Sequence, residues 1–250
     1  MDFVAPLPVS DLRNRAILLD IDGTILNLAP SPQQVWVPPG LRQTLARLTE
    51  LTGGALALVS GRSLHDIDLI FSPLRLAAIG GHGAETRPTA DGKSQTCVGP
   101  LSATLRRKLA SVAELGPGIL VEDKGYSLAL HYRLAPEKGR ALRAAVDEVC
   151  ASAPEGTIEI LLGKLVVEIK AACTSKANAV CELMKYPPFA NRNPIFIGDD
   201  ITDIPVFGII SRFGGVAYSV GQTIANAGGR FDKPEDVRSW LARIVADCEG

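Results

Sequence analysis

Two aspartates close an apolar run: Leu18-Leu19-Asp20-Ile21-Asp22-Gly23-Thr24. The run from Ala16 reads as a buried strand of a parallel sheet. An ionised carboxylate there is costly unless it is paired, hydrogen-bonded or bound to metal. Residues i and i+2 of a strand point the same way, so Asp20 and Asp22 are expected to share one small volume. A divalent cation relieves their repulsion, and hard oxygen donors suit Mg²⁺, which keeps several waters and usually also meets substrate phosphate. Gly23 lets the chain turn sharply after the pair. Taken alone, the segment reads more simply as an Asp-x-Asp-Gly turn.

Three further segments carry comparable residues. Ser60-Gly61-Arg62 follows the apolar run Ala55–Val59 and offers a hydroxyl and backbone N–H groups at a helix entrance, a cradle for an anion. By itself Ser-Gly after a strand is equally turn and cap chemistry. Thr174-Ser175-Lys176 opens a helix, and a lysine in the first turn opposes the helix dipole unless an anion sits nearby. Gly198-Asp199-Asp200-Ile201-Thr202-Asp203 follows the apolar Ile195-Phe196-Ile197. Three acids there are more than helix capping requires.

The elements that must position these residues alternate. Strands are expected over 16–21, 55–60 and 76–81, with helices over 39–51, where Gly53-Gly54 is a stop, and 63–71. This βαβα order predicts a doubly wound parallel sheet with helices on both faces. The middle differs: a helix within 97–115, an alternating strand over 126–134, a helix over 136–153, and two strands within 156–171 joined near Gly163-Lys164. After it come a helix from Ser175, the strand 194–200, another helix, the strand 214–220 and a last helix over 234–247. The expected fold class is therefore α/β, a doubly wound parallel-sheet core of 1–96 and 172–250 with a small α+β insertion at 97–171. In such sheets ligands bind beyond the C-terminal strand ends, which is where all four segments fall.

The 250 residues are 46% hydrophobic and 21% charged, enough apolar surface for a real core. A net charge of −1 without long basic runs argues against nucleic acid and anionic membranes as partners. The N-terminus has no basic n-region, and no apolar stretch approaches the length that crosses a bilayer, so a soluble, cytoplasmic protein is expected. The five cysteines are odd in number, widely spaced and without a C-x-x-C pair, which fits reduced thiols.

Together, Asp20 to Thr24, Ser60, Lys176 and Gly198 to Asp203 resemble the haloacid dehalogenase superfamily of phosphotransferases. The resemblance implies that Asp20 is a nucleophile toward phosphorus and Asp22 a general acid and base. Mg²⁺ would be held by the Asp20 carboxylate, the Asp22 main-chain carbonyl and Asp199, with Asp200 and Asp203 supporting it. Ser60, Gly61 and Lys176 would hold phosphoryl oxygens. The stretches Gly80–Arg87, Val121–Arg133 and Lys164–Lys170, with Ser60-Gly61-Arg62, resemble the trehalose-6-phosphate phosphatase family through nearly the whole chain. That likeness makes the insertion a cap whose Glu122, Lys124 and Glu168 reach sugar hydroxyls, with Arg62 also in the substrate site. It implies a sugar phosphate as substrate, hinge crossings near Thr96 and Ala171, and a separate trehalose-6-phosphate synthase as supplier. Ala177 departs from the glycine expected after Lys176. His82, between two glycines, either faces the sugar or turns the chain, and Ser127, His131 and Arg133 read equally as a solvent face of an alternating strand. The competing readings are another sugar phosphatase on the same scaffold, a phospho-receiver signalling domain, and a nucleotide-sugar transferase using Asp-x-Asp for metal. The last two leave Lys176 and the Gly198–Asp203 acids, or Asp22 and the insertion, without a use.

Overall fold

The computed structural model describes residues 9–29, 34–163 and 165–249. Two compact units emerge, one of Met1–Gln95 with Ser175–Gly250 and one of Thr96–Thr174. The first contains β1 (Arg15–Leu19), α1 (Leu41–Leu51), β2 (Leu56–Val59), α2 (Leu64–Phe71), β3 (Ala77–Gly80), β4 (Glu85–Arg87) and β5, whose Gln95 ends this first segment. The second begins within β5 (Gln95–Thr96) and holds α3 (Ala103–Ser111), β6 (Leu120–Asp123), β7 (Ser127–His131), α4 (Gly139–Cys150), β8 (Ile158–Gly163) and β9 (Val166–Ala171). The first unit then resumes with α5 (Lys176–Leu183), β10 (Asn193–Gly198), α6 (Ile204–Ile209), β11 (Val216–Val220), β12 (Gly229–Phe231) and α7 (Pro234–Glu249).

The large sheet runs β12-β11-β10-β1-β2-β3-β4-β5. Its strands from β12 to β3 are parallel, and β4 turns back antiparallel to β3. Strands buried on both faces need apolar residues at every position, which is why Ala16–Leu19 and Leu56–Val59 have no polar member. Alternation divides them between two cores. Ile17, Leu19, Leu56 and Leu58 pack with Leu41, Leu45 and Leu48 of α1 and with Val237, Trp240, Leu241 and Ile244 of α7. Ala16, Leu18, Ala57 and Val59 pack with Val180 and Leu183 of α5 and with Val206 and Phe207 of α6. The register pairs Leu19 with Ile197 on one side and Leu58 on the other, so the carboxyl ends of β1, β10 and β2 lie side by side.

The inserted unit is an antiparallel sheet in the order β6-β7-β9-β8. Leu128 and Leu130 of β7 and Val167 and Ile169 of β9 pack on Leu105 and Leu109 of α3 and on Leu142 and Val146 of α4. The period of two then turns Ser127, Ala129, His131, Glu168 and Lys170 to the other face. The units change at 95/96 and 174/175, whereas the sequence pattern put the crossings at 96/97 and 171/172. Residues 172–174 stay with the insertion because they bond to it: Ala172 N–H donates to Thr157 O (3.1 Å), and Lys170 Nζ donates to Thr174 O (2.6 Å).

Four strands were not anticipated: β4, β5, β6 and β12 have two to four residues each and are polar or half-exposed, so they carry no readable period. The expected strand over 16–21 stops at Leu19, since Ile21 O instead accepts N–H groups from Thr24, Ile25 and Leu26 in a tight loop. Lys164, named for the β8–β9 junction and within the Lys164–Lys170 likeness, lies outside the described residues. Among the described residues no helix is long and apolar enough to cross a membrane.

β4 is fastened by Arg87, which is fully buried and donates to both carboxylate oxygens of Asp68 (2.7 and 2.6 Å) and twice to Leu76 O (3.0 and 2.8 Å). Arg87→Ala is expected to cost about 2–4 kcal/mol, by orphaning the Leu76 carbonyl and leaving a hole. A urea midpoint unchanged from wild type would show that β4 is not a stabilising element.

Candidate active site

At the carboxyl edge of the large sheet one lysine joins two distant carboxylates. Lys176 opens α5, where Ser175 is the N-cap and its Oγ accepts from Ala177 N–H (3.2 Å). Its Nζ donates to Asp20 Oδ1 (2.8 Å) and to Asp203 Oδ1 (2.7 Å). All three residues are buried. Asp203 Oδ2 in turn accepts the backbone N–H groups of Asp199 and Asp200 (both 3.1 Å), which fixes the loop after β10. Asp200 caps the short helical turn Ile201–Asp203 and its exposed carboxylate accepts from Ile201 N–H (2.7 Å), so it and Asp203 form the capping box. Thr24 Oγ1 donates to Asp199 Oδ1 (3.2 Å), and Gln222 Nε2 donates to Asp199 O.

The carboxylates that converge are Asp20, Asp199 and Asp203, whose oxygens lie within 4.8 Å of one another. Asp22 was expected beside Asp20 through strand alternation; the strand has ended by then, and the Asp22 carboxylate instead receives a fork from Arg62, with Nε to Oδ2 at 2.5 Å and Nη2 to Oδ1 at 2.7 Å. Arg62, expected at the substrate, is thus held by Asp22 here. Two glycines make the convergence possible. A Cβ on Gly23 (φ +84°) would lie 2.1 Å from Asp199 Oδ2, and one on Gly198 would lie 2.6 Å from Asp203 Oδ2.

Ser60 is buried at the end of β2, and its Oγ accepts from Arg62 N–H (3.2 Å). Next to it, α2 opens at Ser63, whose Oγ accepts from Asp66 N–H. His82 takes a left-handed conformation (φ 54°) after β3, its N–H donates to Ser60 O (3.0 Å), and its ring covers Gly61 so closely that a Cβ there would sit 2.3 Å from Nε2. Ser60, Gly61 and His82 therefore form one corner beside the Asp22–Arg62 pair. Sequence reasoning had no signal for Gln222 or for the Ser60–His82 bond, because neither follows from local spacing.

Within the inserted unit a second polar group forms on the sheet face away from α3 and α4. Ser127 Oγ donates to Glu168 Oε1 (2.7 Å), and Lys124 Nζ lies 3.5 Å from Glu168 Oε1 and 3.6 Å from Glu122 Oε1. His131 Nε2 and Glu122 Oε2 are 2.9 Å apart. Glu122, Ala129 and Glu168 occupy one row across β6, β7 and β9. Ser127 and His131, legible as a solvent face, are instead partners of the two glutamates. The His131 hydrogen bond is the main reason the Glu122 carboxyl titrates below its ordinary range, and Lys124 adds to it against a burial penalty.

The electrostatics of the first site are unbalanced. Burial would lower the Lys176 ammonium, but Asp20 and Asp203 outweigh it and hold the group well above its usual range. Burial raises the Asp20 carboxyl, with Lys176 opposing and Asp203 and Asp199 adding to the rise. Burial also pushes Asp199 up to about 7, helped by Asp203 and Asp200. With all three carboxyls ionised, one ammonium leaves two negative charges without a counterpart in the cluster, and both Asp203 oxygens are already engaged. A divalent cation fits this charge and these hard donors, with Asp20 and Asp199 as its carboxylates.

A parallel α/β core interrupted by a small antiparallel sheet, with carboxylates and a lysine at the strand ends, is a haloacid dehalogenase-type architecture. The structure of the Candida albicans trehalose-6-phosphate phosphatase C-terminal domain shares this fold, with a TM-score of 0.81 at 19% identity over 94% of this chain and 93% of that one. Residues 18–229 match the trehalose-phosphatase family model. The chain is 39% identical over 98% of its length, and 92% of the relative, to a Sinorhizobium fredii protein named "Probable trehalose-phosphate phosphatase". It is 38% identical over 92% of its length, and 86% of the relative, to the Escherichia coli trehalose-6-phosphate phosphatase. The chain belongs to the trehalose-phosphatase family.

A carboxyl whose folded pKa lies at about 7, against an ordinary value of 3.8, binds its proton more tightly when folded, so its contribution to stability falls as pH rises through this window. Metal-free Asp199→Asn is expected to melt above metal-free wild type at pH 8, by roughly 2–4 °C for each kcal/mol of repulsion relieved, with the gap closing toward pH 4. A divalent cation should stabilise wild type at pH 8 more than the variant. Identical melting curves with and without cation would rule out Asp199 as a cation ligand.

Proposed function

We propose that this protein hydrolyses trehalose 6-phosphate to trehalose and phosphate, using Mg²⁺ and a covalent aspartyl-phosphate. The observation that carries the reading is the buried Asp20–Lys176–Asp203 cluster at the strand ends, in a chain whose curated relatives are named for this substrate. Lys176 fixes Oδ1 of Asp20, which aims the carboxylate for attack. A bond forms from an Asp20 oxygen to phosphorus while the phosphorus–sugar oxygen bond breaks, and Asp22, protonated once its fork with Arg62 opens, gives the departing oxygen its proton. Water then attacks the same phosphorus, returns a proton to Asp22, and releases phosphate with Asp20 regenerated.

Mg²⁺, held by the carboxylates of Asp20 and Asp199 and the main-chain carbonyl of Asp22, would supply charge neutralisation at the phosphoryl oxygens. Lys176, the Ser60 hydroxyl and the Gly61 backbone bind the same oxygens as their charge changes. Asp200 and Asp203 act by holding the loop of Asp199. Arg62 orients Asp22 and, with His82, borders the leaving group. The inserted unit serves as the cap: Glu122, Lys124 and Glu168 bring alternating acceptors and a donor to one face, the complement of a sugar rim.

Cys150, Cys173 and Cys181 carry free thiols, in keeping with a cytoplasmic enzyme. In this reading a trehalose-6-phosphate synthase on a separate chain would supply the substrate.

Phosphate release with Mg²⁺ from trehalose 6-phosphate is expected to exceed that from sucrose 6-phosphate, glucose 6-phosphate and p-nitrophenyl phosphate. Asp20→Asn should lower it by more than about 10³-fold with an unchanged circular dichroism spectrum. Turnover persisting in Asp20→Asn sinks the covalent mechanism, and a preference for another sugar phosphate removes the substrate assignment alone.

A further inference from the structure

We propose that Ser127 is a positioning residue for sugar recognition, acting through Glu168; the inference rests on the reading that Glu168 meets the sugar. Ser127 is 1% exposed, and its hydroxyl donates to Glu168 Oε1 at 2.7 Å. A hydroxyl bonded to a carboxylate is a strong, directional contact, and leaving either group buried without it is costly.

The strand register explains why serine reaches this glutamate. Ser127 lies opposite Lys170 and Ala129 lies opposite Glu168, so the bond runs diagonally across β7 and β9. Lys170 does not compete for Glu168 there, since its ammonium is bound to Glu159 Oε2 (2.5 Å) and Thr174 O (2.6 Å). Ala129 presents only a methyl group, over which the longer Glu168 side chain can pass to Ser127. Lys124 Nζ approaches the same oxygen at 3.5 Å, but an ammonium on a four-carbon stem sets charge more than direction. The hydroxyl of Ser127 therefore fixes the Glu168 rotamer before a sugar arrives, and lowers the ordering cost of binding.

The test is the steady-state kinetics of trehalose 6-phosphate hydrolysis with Mg²⁺ by Ser127→Ala, Ser127→Thr, Glu168→Ala and the double alanine variant. Ser127→Ala should raise KM about tenfold with kcat within about twofold, and Ser127→Thr should restore KM. In the Glu168→Ala background, Ser127→Ala should add no further change, since the two act as one unit. If Ser127→Ala fails to fold, Ser127→Cys, close in shape and a weak donor, should show the KM rise. A wild-type KM in Ser127→Ala beside a raised KM in Glu168→Ala overturns the proposal alone. A wild-type KM in Glu168→Ala overturns the sugar-contact reading and the proposal with it. Full additivity in the double variant, or KM and kcat changing together, assigns Ser127 to packing and also overturns the proposal.

Discussion

The bridge from Lys176 to Asp20 and Asp203 holds together three chain segments that are separate in sequence. A lysine buried to this degree is tolerated because two carboxylates keep it charged, and those carboxylates are tolerated because the lysine is there. Its position at the first residue of α5 would be unfavourable for an isolated helix. The carboxylates reverse that preference. The ammonium then ties the loops that follow β1 and β10 to the start of α5, and Asp203 passes the constraint to the backbone of Asp199 and Asp200.

That bridge leaves the cluster with more negative than positive charge, and the surplus makes it chemically useful. A fully neutralised cluster would be a structural ion pair. Here Asp199 is held close by Thr24 and by the absence of a side chain at Gly23, yet its carboxyl resists ionisation until about neutral pH. A divalent cation would supply the positive charge that is missing and would then also meet an anionic phosphoryl group, so that binding and chemistry would draw on the same imbalance.

The inserted unit follows the same logic at smaller scale. Its apolar face is a conventional two-helix core, whereas the other face gathers Glu122, Lys124, Ser127, His131 and Glu168 around Ala129. Glu122 has His131 and Glu168 has Ser127, so each glutamate is oriented by a neutral or titratable neighbour on the central strand β7. Glu122, Ser127, His131 and Glu168 sit on strands and Lys124 directly follows β6, and side chains on strands keep their spacing.

Local pattern alone was enough to establish the parallel core, the antiparallel insertion and the polar segments that follow β1, β2 and β10, because apolar runs and their periods are set by burial on one or two faces; Lys176 opens α5 and follows no core strand. The same pattern could not locate β4, β5, β6 or β12, whose few residues pair at or next to the sheet edges through backbone hydrogen bonds that leave no trace in side-chain type. Nor could it say which carboxylate meets which cation. Alternation suggested Asp20 with Asp22, but the loop closed on Ile21 O after β1 sends Asp22 to Arg62 and brings Asp199 and Asp203 to Asp20. Pairings of this kind are decided by strand order and register. A sequence specifies that charges must be compensated, and only the folded chain determines by whom.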